Sequence, residues 1–373
     1  MDHKSVFFAL SILCLACHNP REREGLKSVL EVRVKDAGQL ERSNIEIVDL
    51  LALETNSQNL MGNDLRVRWN SIGYYVMDIA TRDAVHLFRK NGKYQGEAVT
   101  VGEGPNQVRG LQDFQPGLGG ELKILSTLGD ESNLLVVSDS GTVQKRFSPQ
   151  YLASSFTVLE GGDYLFYGGY NMPFVKNRMI KTDSAGNQLA SFLPNDYTNE
   201  MLPMTERNFF EYGQGTLVTE VFNHQIYEFS DDRLSPKVKI DFGKYAIPKE
   251  FWELDLMQGF ELLQENGFAT FQSVFRNEKH YVAKIHLQSK NGSEKKVLLV
   301  NMQDGRSAFF DTVGYEEGLF DSPIGFENDY LLFLTYHSVI KKKSKEQIPD
   351  TLMEKMGEQE FDYPVLIKTK VSF

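Results

Sequence analysis

Apolar and polar positions in this chain alternate in short runs. YYVMDIA, AVHLFRK, ELKILST, NLLVVSD, DYLFYGG, QIYEFSD, KKVLLVNM and YLLFLTYH are each rich in Tyr, Phe, Val and Ile. Turn residues separate them. Such runs are the pattern of half-buried strands, because successive side chains on a strand face opposite sides. Helical periodicity is nearly absent. Two segments depart from the pattern: PKEFWELDLMQGF at 248–260, with room for a turn or two, and SKEQIPDTLMEKMGEQE at 344–360.

The strands recur at a regular interval. Asn91-Gly92, Asp139 to Gly141, Asp183 to Gly186 and Asn291-Gly292 each sit between two apolar runs. These are hairpin turns, whose tight reversal needs the positive φ that Asn and Gly adopt at little cost. Gly92 and Gly141 are 49 residues apart, Gly141 and Gly186 are 45 apart, and Gly186 and Gly292 are 106 apart. The last gap holds two units, with the missing turn near Asp232. Gly73, Gly120, Gly162, Gly215, Gly267 and Asn328-Asp329 each open an apolar strand ahead of a hairpin. Six such units at this period predict an all-β fold, a six-bladed β-propeller of four-stranded antiparallel blades. One antiparallel blade cannot bury both of its faces, whereas radial stacking covers them. Closure is expected between DYPVLIKTKVSF in the last blade and NIEIVDLLALET as its outermost strand. The expected domain spans residues 28–373.

Composition adds a compartment. The net charge of −11 excludes nucleic acid as a partner, since nothing neutralises phosphates along a groove. At the N-terminus MDHK precedes the apolar SVFFALSILCLA, followed by Cys17. The run has secretory length and is too short to span a bilayer as a mature helix. It resembles a bacterial lipoprotein signal, which implies a signal peptide at 1–16, acylation of Cys17 and anchoring to the lipid bilayer. Cys14 stands where that pattern usually has Leu. Residues 17–27 then form a polar tether. The chain has two cysteines, Cys14 and Cys17. The mature chain would keep one, already lipidated, which leaves no disulfide and no thiolate metal site. The tether lacks an acidic surface-export cluster, so the expected place is the outer membrane facing the periplasm, with the cell surface as the alternative.

The stretch from IVDLLALETN through GYYVMDIATRDAVHLFRKNGKYQGEAVTVGEGPNQV, with the closing DYPVLIKTKVSF, resembles the 6-bladed β-propeller lipoproteins of Bacteroidota. Those proteins resemble NHL-type propellers. The resemblance is densest over residues 45–110. It implies a fold and an envelope location, and no reaction.

Signatures of catalysis are missing. In VGEGPNQV, Gly102 and Gly104 are followed by Gln107, so GxGxxG fails, and no Lys-Ser or Lys-Thr completes a phosphate loop. GEGP reads instead as the link between one unit and the next. There is no HExxH, GxSxG or EF-hand loop. His280 and His286 are six residues apart, too far along one strand to share a metal. The chain therefore carries no expected catalytic residue, metal site or cofactor.

Propellers bind ligands at the mouth of the central channel. The expected innermost strands are LRVRWNS, LQDFQPG, SFTVLEG, NFFEYGQ, GFELLQE and SPIGFEN. They contribute Arg66, Arg68, Asp113, Glu211 and Glu261 as candidate ligand contacts, with structural ion pairing as the competing role. A single helix is expected at 345–359, inserted in the last blade. Asp350 is placed to cap it, and its stripe of Leu352, Met353 and Met356 docks beside the channel mouth as a lid. Two functions fit: a monomeric, non-catalytic module binding a peptide, glycan or partner envelope protein, or a propeller enzyme of the metal-dependent lactonase or polysaccharide lyase type.

Overall fold

The computed structural model describes residues 29–104, 106–195, 207–213, 215–310 and 318–373. The expected signal segment, Cys17 and the tether lie outside the described residues. The alternating segments form six sheets of mostly four antiparallel strands, with few helices. Sheet I comprises Leu65–Trp69, Gly73–Asp78, Ala84–Arg89 and Tyr94–Thr100; sheet II comprises Leu111–Pro116, Leu122–Leu128, Glu131–Val137 and Val143–Phe147. Sheet III is built from Ser155–Val158, Tyr164–Tyr167, Asn177–Thr182 and Gln188–Pro194. Sheet IV holds Phe209–Tyr212, Gly215–Val218, Gln225–Ser230 and Arg233–Asp241. Sheet V runs through Phe268–Arg276, His280–Ser289, Gly292–Asn301 and Ser307–Phe309, and sheet VI through Pro323–Glu327, Tyr330–Tyr336 and Pro364–Val371.

The outer hairpins of sheets I to IV turn where the sequence places them, but Asn291-Gly292 joins the second and third strands of sheet V, whose outer hairpin turns instead at Gly305, φ 73°. Gly92, Gly141 and Gly186 have φ of 81°, 78° and 93°. The turn of sheet IV has no glycine, and Asp231 and Asp232 supply φ of 50° and 58° instead. Aspartate tolerates this left-handed backbone better than most residues.

The first strand of each sheet touches the first strand of the next, and that of sheet VI touches that of sheet I. Six inner strands therefore surround one axis. Every neighbouring pair of sheets encloses its own apolar layer. Between I and II lie Met77, Val85, Leu122, Ile124 and Leu135, and between V and VI lie Val282, Val297, Leu299, Phe333 and Ile367. The other four pairs are filled alike. Burying one fully enclosed Leu, Ile or Phe in such a layer contributes about 1.5–3 kcal/mol.

Sheet VI closes the ring as expected, with Ile45–Ala52 pairing antiparallel to Pro364–Val371 and Leu50 opposite Ile367. The sequence reading missed two further contacts. Leu30–Arg33 adds a parallel strand to the edge of sheet IV, and Gly38–Gln39 adds another to sheet V. Before reaching sheet VI, the N-terminal segment thus runs along two outer edges that would otherwise present unpaired backbone groups. Buried Val32 and Leu40 hold it there. Strands of four and two residues carry too little pattern to read.

Helix α1 (Leu256–Asn266) corrects one expected element. GFELLQE lies inside α1, and the inner strand of sheet V is Phe268–Arg276. Asp255 caps the helix, its side chain accepting from the Gln258 backbone N–H at 3.1 Å. Gly267, at φ 76°, ends it. Gly267 therefore opens the first strand of its sheet, not the second. Phe222, Phe251, Leu263 and Phe268 form the small cluster on which α1 rests.

The insertion in sheet VI is also corrected. Helix α2 spans His337–Gln347 and helix α3 spans Asp350–Met353, so the expected single helix at 345–359 is broken at Pro349. A proline disfavours helical backbone at the residue before it and starts a new turn readily. Asp350 stands in the first turn of α3, and no side chain caps that helix.

Candidate functional site

The first strand of sheet I carries Arg66 and Arg68 on one face, two residues apart, and both turn to the same carboxylate. Arg66 Nη1 and Arg68 Nη1 donate to Asp113 Oδ1 at 2.7 and 2.8 Å. Asp113, on the first strand of sheet II, is fully buried. Its Oδ1 also accepts the Phe114 N–H, and its Oδ2 accepts the Phe156 N–H from sheet III. Burial alone pushes this carboxyl upward, but Arg68 and Arg66 outweigh it and hold the group at about 2. The sequence thus named three residues that do meet, and ion pairing is what joins them.

Glu211 extends the network to sheet IV. One of its oxygens accepts from Gln115 Nε2 and from Thr157 Oγ1, both at 2.6 Å. Four consecutive inner strands are therefore laced together by polar side chains across the axis. Sheets V and VI face them with Phe275, Ile324 and Phe326 alongside polar Arg276 and Glu278. Glu261 does not belong here: it is exposed on α1 and lines neither cavity described below.

The central residue that the sequence reading missed is Arg207, just before the first strand of sheet IV. Its guanidinium lies over the rings of Phe210 and Phe275, at 4.7 and 5.3 Å. Among the described residues it has no hydrogen bond or ion pair, and its Nε is buried without a partner. Burial, then the neighbouring Arg68 and Arg66, push its pKa well down. Three guanidinium groups thus crowd one fully buried carboxylate. An arginine outside a strand run gives no periodic signal. The aromatic residues that follow it, NFFEY, were the available clue.

A cavity of about 600 Å³ opens at each end of this layer, and Val67, Arg207 and Ile324 line both. The first has Arg68 and Arg207 at its floor, with walls of Trp69, Tyr212 and Phe326. Gly325, at φ 146°, makes room for Trp69, since a Cβ there would lie 2.7 Å from the indole. Arg276 also lines this cavity, but its charge is met by Glu228 at 2.6 Å. The rim carries exposed Glu211, Glu278 and Asp329. The second cavity is lined by Arg66, Lys284, His286, Lys295 and, from α1, Phe260 and Gln264.

Among the described residues, none of the insertion at 337–363 lines either cavity, so the expected docking beside the channel mouth is corrected. Val339, Ile340, Ile348, Leu352 and Met356 are instead buried in the layer between sheets V and VI. Among the described residues no three His, Cys, Asp or Glu side chains are grouped to hold a metal ion. Nor is any described helix long and apolar enough to cross a membrane.

The family model described as Domain of unknown function (DUF4934) matches residues 30–368. No curated protein matches the chain. Among solved structures, a Bacteroides fragilis NCTC 9343 protein designated as exported superposes with a TM-score of 0.73 at 17% identity, over 93% of this chain and 100% of that one. Virginiamycin B lyase of Staphylococcus aureus superposes with a TM-score of 0.40 at 10% identity, over 78% of this chain and 95% of the lyase. The first similarity shows a shared fold. The second is too weak to carry an argument.

Proposed function

The chain belongs to the family described as Domain of unknown function (DUF4934), and from that premise we propose a lipid-anchored, six-bladed β-propeller that binds a peptide in the cell envelope. The closed contact of six inner strands supports the propeller, and the apolar run ending at Cys17 supports the anchor. The protein acts as a monomer on the periplasmic face of the outer membrane. The peptide enters the first cavity with its free carboxylate on the floor between Arg68 and Arg207. Its ammonium end or basic side chains meet Glu211, Glu278 and Asp329 at the rim.

The observation that carries this reading is Arg207, a guanidinium in the channel that no acid among the described residues pairs or hydrogen-bonds. A guanidinium accepts a carboxylate through two parallel N–H bonds. A peptide with both ends free supplies that carboxylate and is uncharged overall, so the net charge of −11 does not repel it. Lyase chemistry fits less well. Tyr212 is the wall's acid–base candidate, yet its hydroxyl donates to Glu228. Burial first, and that bond second, raise its pKa, so it keeps its proton. A metal-dependent lactonase finds no ligand set among the described residues.

The test is equilibrium binding of a random tetrapeptide pool with free C-termini, read by native mass spectrometry. Losing a charge-assisted bond of about 1.5–3 kcal/mol, Arg207→Met should bind roughly 10- to 100-fold more weakly. Equal binding by wild type and variant would remove the basis for the proposal.

A further inference from the structure

The second cavity holds a different chemistry. Lys284 lies on the second strand of sheet V, half-buried, and among the described residues its side chain donates one hydrogen bond, to Ser322 Oγ at 3.0 Å. Among the described residues it has no ion pair. That isolation sets it apart from most half-buried cations of this chain: Lys181, Lys237 and Lys368 each reach a carboxylate. Lys295, on the adjoining strand, adds a like charge to the same cavity, and His286 stands two residues along from Lys284. Arg66 and Glu220 also line it, but Asp113 and Arg178 already occupy them.

From this placement we propose that Lys284 is a reactive amine, and that the second cavity captures small carbonyl compounds bearing a carboxylate by forming a reversible imine with it. The lone pair of the neutral amine adds to the carbonyl carbon while the C=O π pair moves to oxygen. Ser322 Oγ is placed to carry the proton from nitrogen toward that oxygen. Loss of the oxygen as water then leaves the C=N bond. One amine and one carbonyl give one imine and one water, and nothing is oxidised or reduced. The ligand's carboxylate faces Lys295 and His286.

The protonation state of Lys284 favours this step. Burial, then the charge of Lys295, bring the Lys284 ammonium down to about 8, with Asp64 and Asp321 acting weakly in the opposite sense. A lysine removed from water beside a second cation is the recognised arrangement for an amine nucleophile. Near neutral pH, a useful fraction of Lys284 is therefore unprotonated, where an exposed lysine is almost wholly charged.

The test treats the mature protein with glyoxylate and cyanoborohydride at about pH 7.5, which fixes any imine as a carboxymethyl group, and maps it by peptide mass spectrometry. Lys284 should be modified about tenfold or more faster than exposed Lys290, because each unit of pKa changes the free-amine fraction roughly tenfold. Its rate should rise with a midpoint of about 8. Lys295→Met should slow it near neutral pH by returning the midpoint toward that of an ordinary lysine, and Lys284→Arg should abolish the site while keeping the charge. Modification of Lys284 no faster than of Lys290, or with the pH profile of an exposed lysine, would overturn the proposal. That comparison is internal to the wild-type protein and does not depend on any variant folding.

Discussion

Asp113 is the residue on which the channel layer depends. It offers the carboxylate that both Arg66 and Arg68 use, and all three are buried. Asp113→Asn keeps the shape but leaves two enclosed guanidinium groups without a counter-charge, a loss of about 3–5 kcal/mol by analogy with other broken buried pairs. Chemical denaturation of wild type and variant measures it. The pH dependence has a definite sign. The folded-state carboxyl titrates at about 2, below its ordinary value of 3.8, so its contribution is complete above the unfolded value and disappears as pH falls through the window between 3.8 and about 2. Acid unfolding of Asp113→Asn should lack that component. At this scale the sequence was informative where alternation applied: Arg66 and Arg68 share a face because one residue separates them. It was silent on Arg207, whose role comes from sheets meeting across the axis. It misled on Glu261, which a short apolar run placed on a strand when a capped helix takes it.

Elements were legible in proportion to the strength of their turns. The hairpins at Asn91-Gly92 and Asp139-Ser140-Gly141 appear in place, because so few residues accept positive φ, whereas Asn291-Gly292 makes a hairpin one strand earlier in its sheet than the repeat implies. GFELLQE is helical, because a short apolar run cannot by itself distinguish strand from helix and Asp255 just before it caps a helix. The insertion differs: its apolar stripe is legible, but which surface would receive it is not written in the stripe. Its burial between sheets V and VI gives a clear expectation. Leu352→Ala should cost about 2–5 kcal/mol, as for other enclosed leucines, whereas a lid residue would cost almost nothing; thermal unfolding decides. A second expectation concerns Glu220, which joins sheets III and IV by accepting from Arg178 at 2.6 Å and from the Tyr167 hydroxyl. Glu220→Gln should destabilise by about 3–5 kcal/mol, since the buried Arg178 then loses the carboxylate it pairs with.

At the scale of the whole molecule, the N-terminal segment is what turns a row of sheets into a ring. Residues 30–52 pair with the edges of sheets IV, V and VI in turn. Removing them should expose three edges and produce aggregation in size-exclusion chromatography, with loss of a single cooperative unfolding transition. The repeat was visible in the sequence, as was the closing strand; the two earlier pairings were not, because a two-residue strand leaves no period. Cys17→Ser should leave the protein unprocessed or free of membranes, which cell fractionation reads. On the proposed function, the acidic surface and the arginine-lined floor together select a carboxylate on a ligand that is not itself strongly anionic. The most direct measurement is the shift in unfolding temperature of the mature protein with one tetrapeptide pool supplied in two forms, free acid and C-terminal amide, since a ligand bound only by the folded state raises stability in proportion to its affinity. The free acid should stabilise the protein and the amide should not, with the difference lost in Arg207→Met; equal stabilisation by acid and amide would contradict carboxylate capture in the channel.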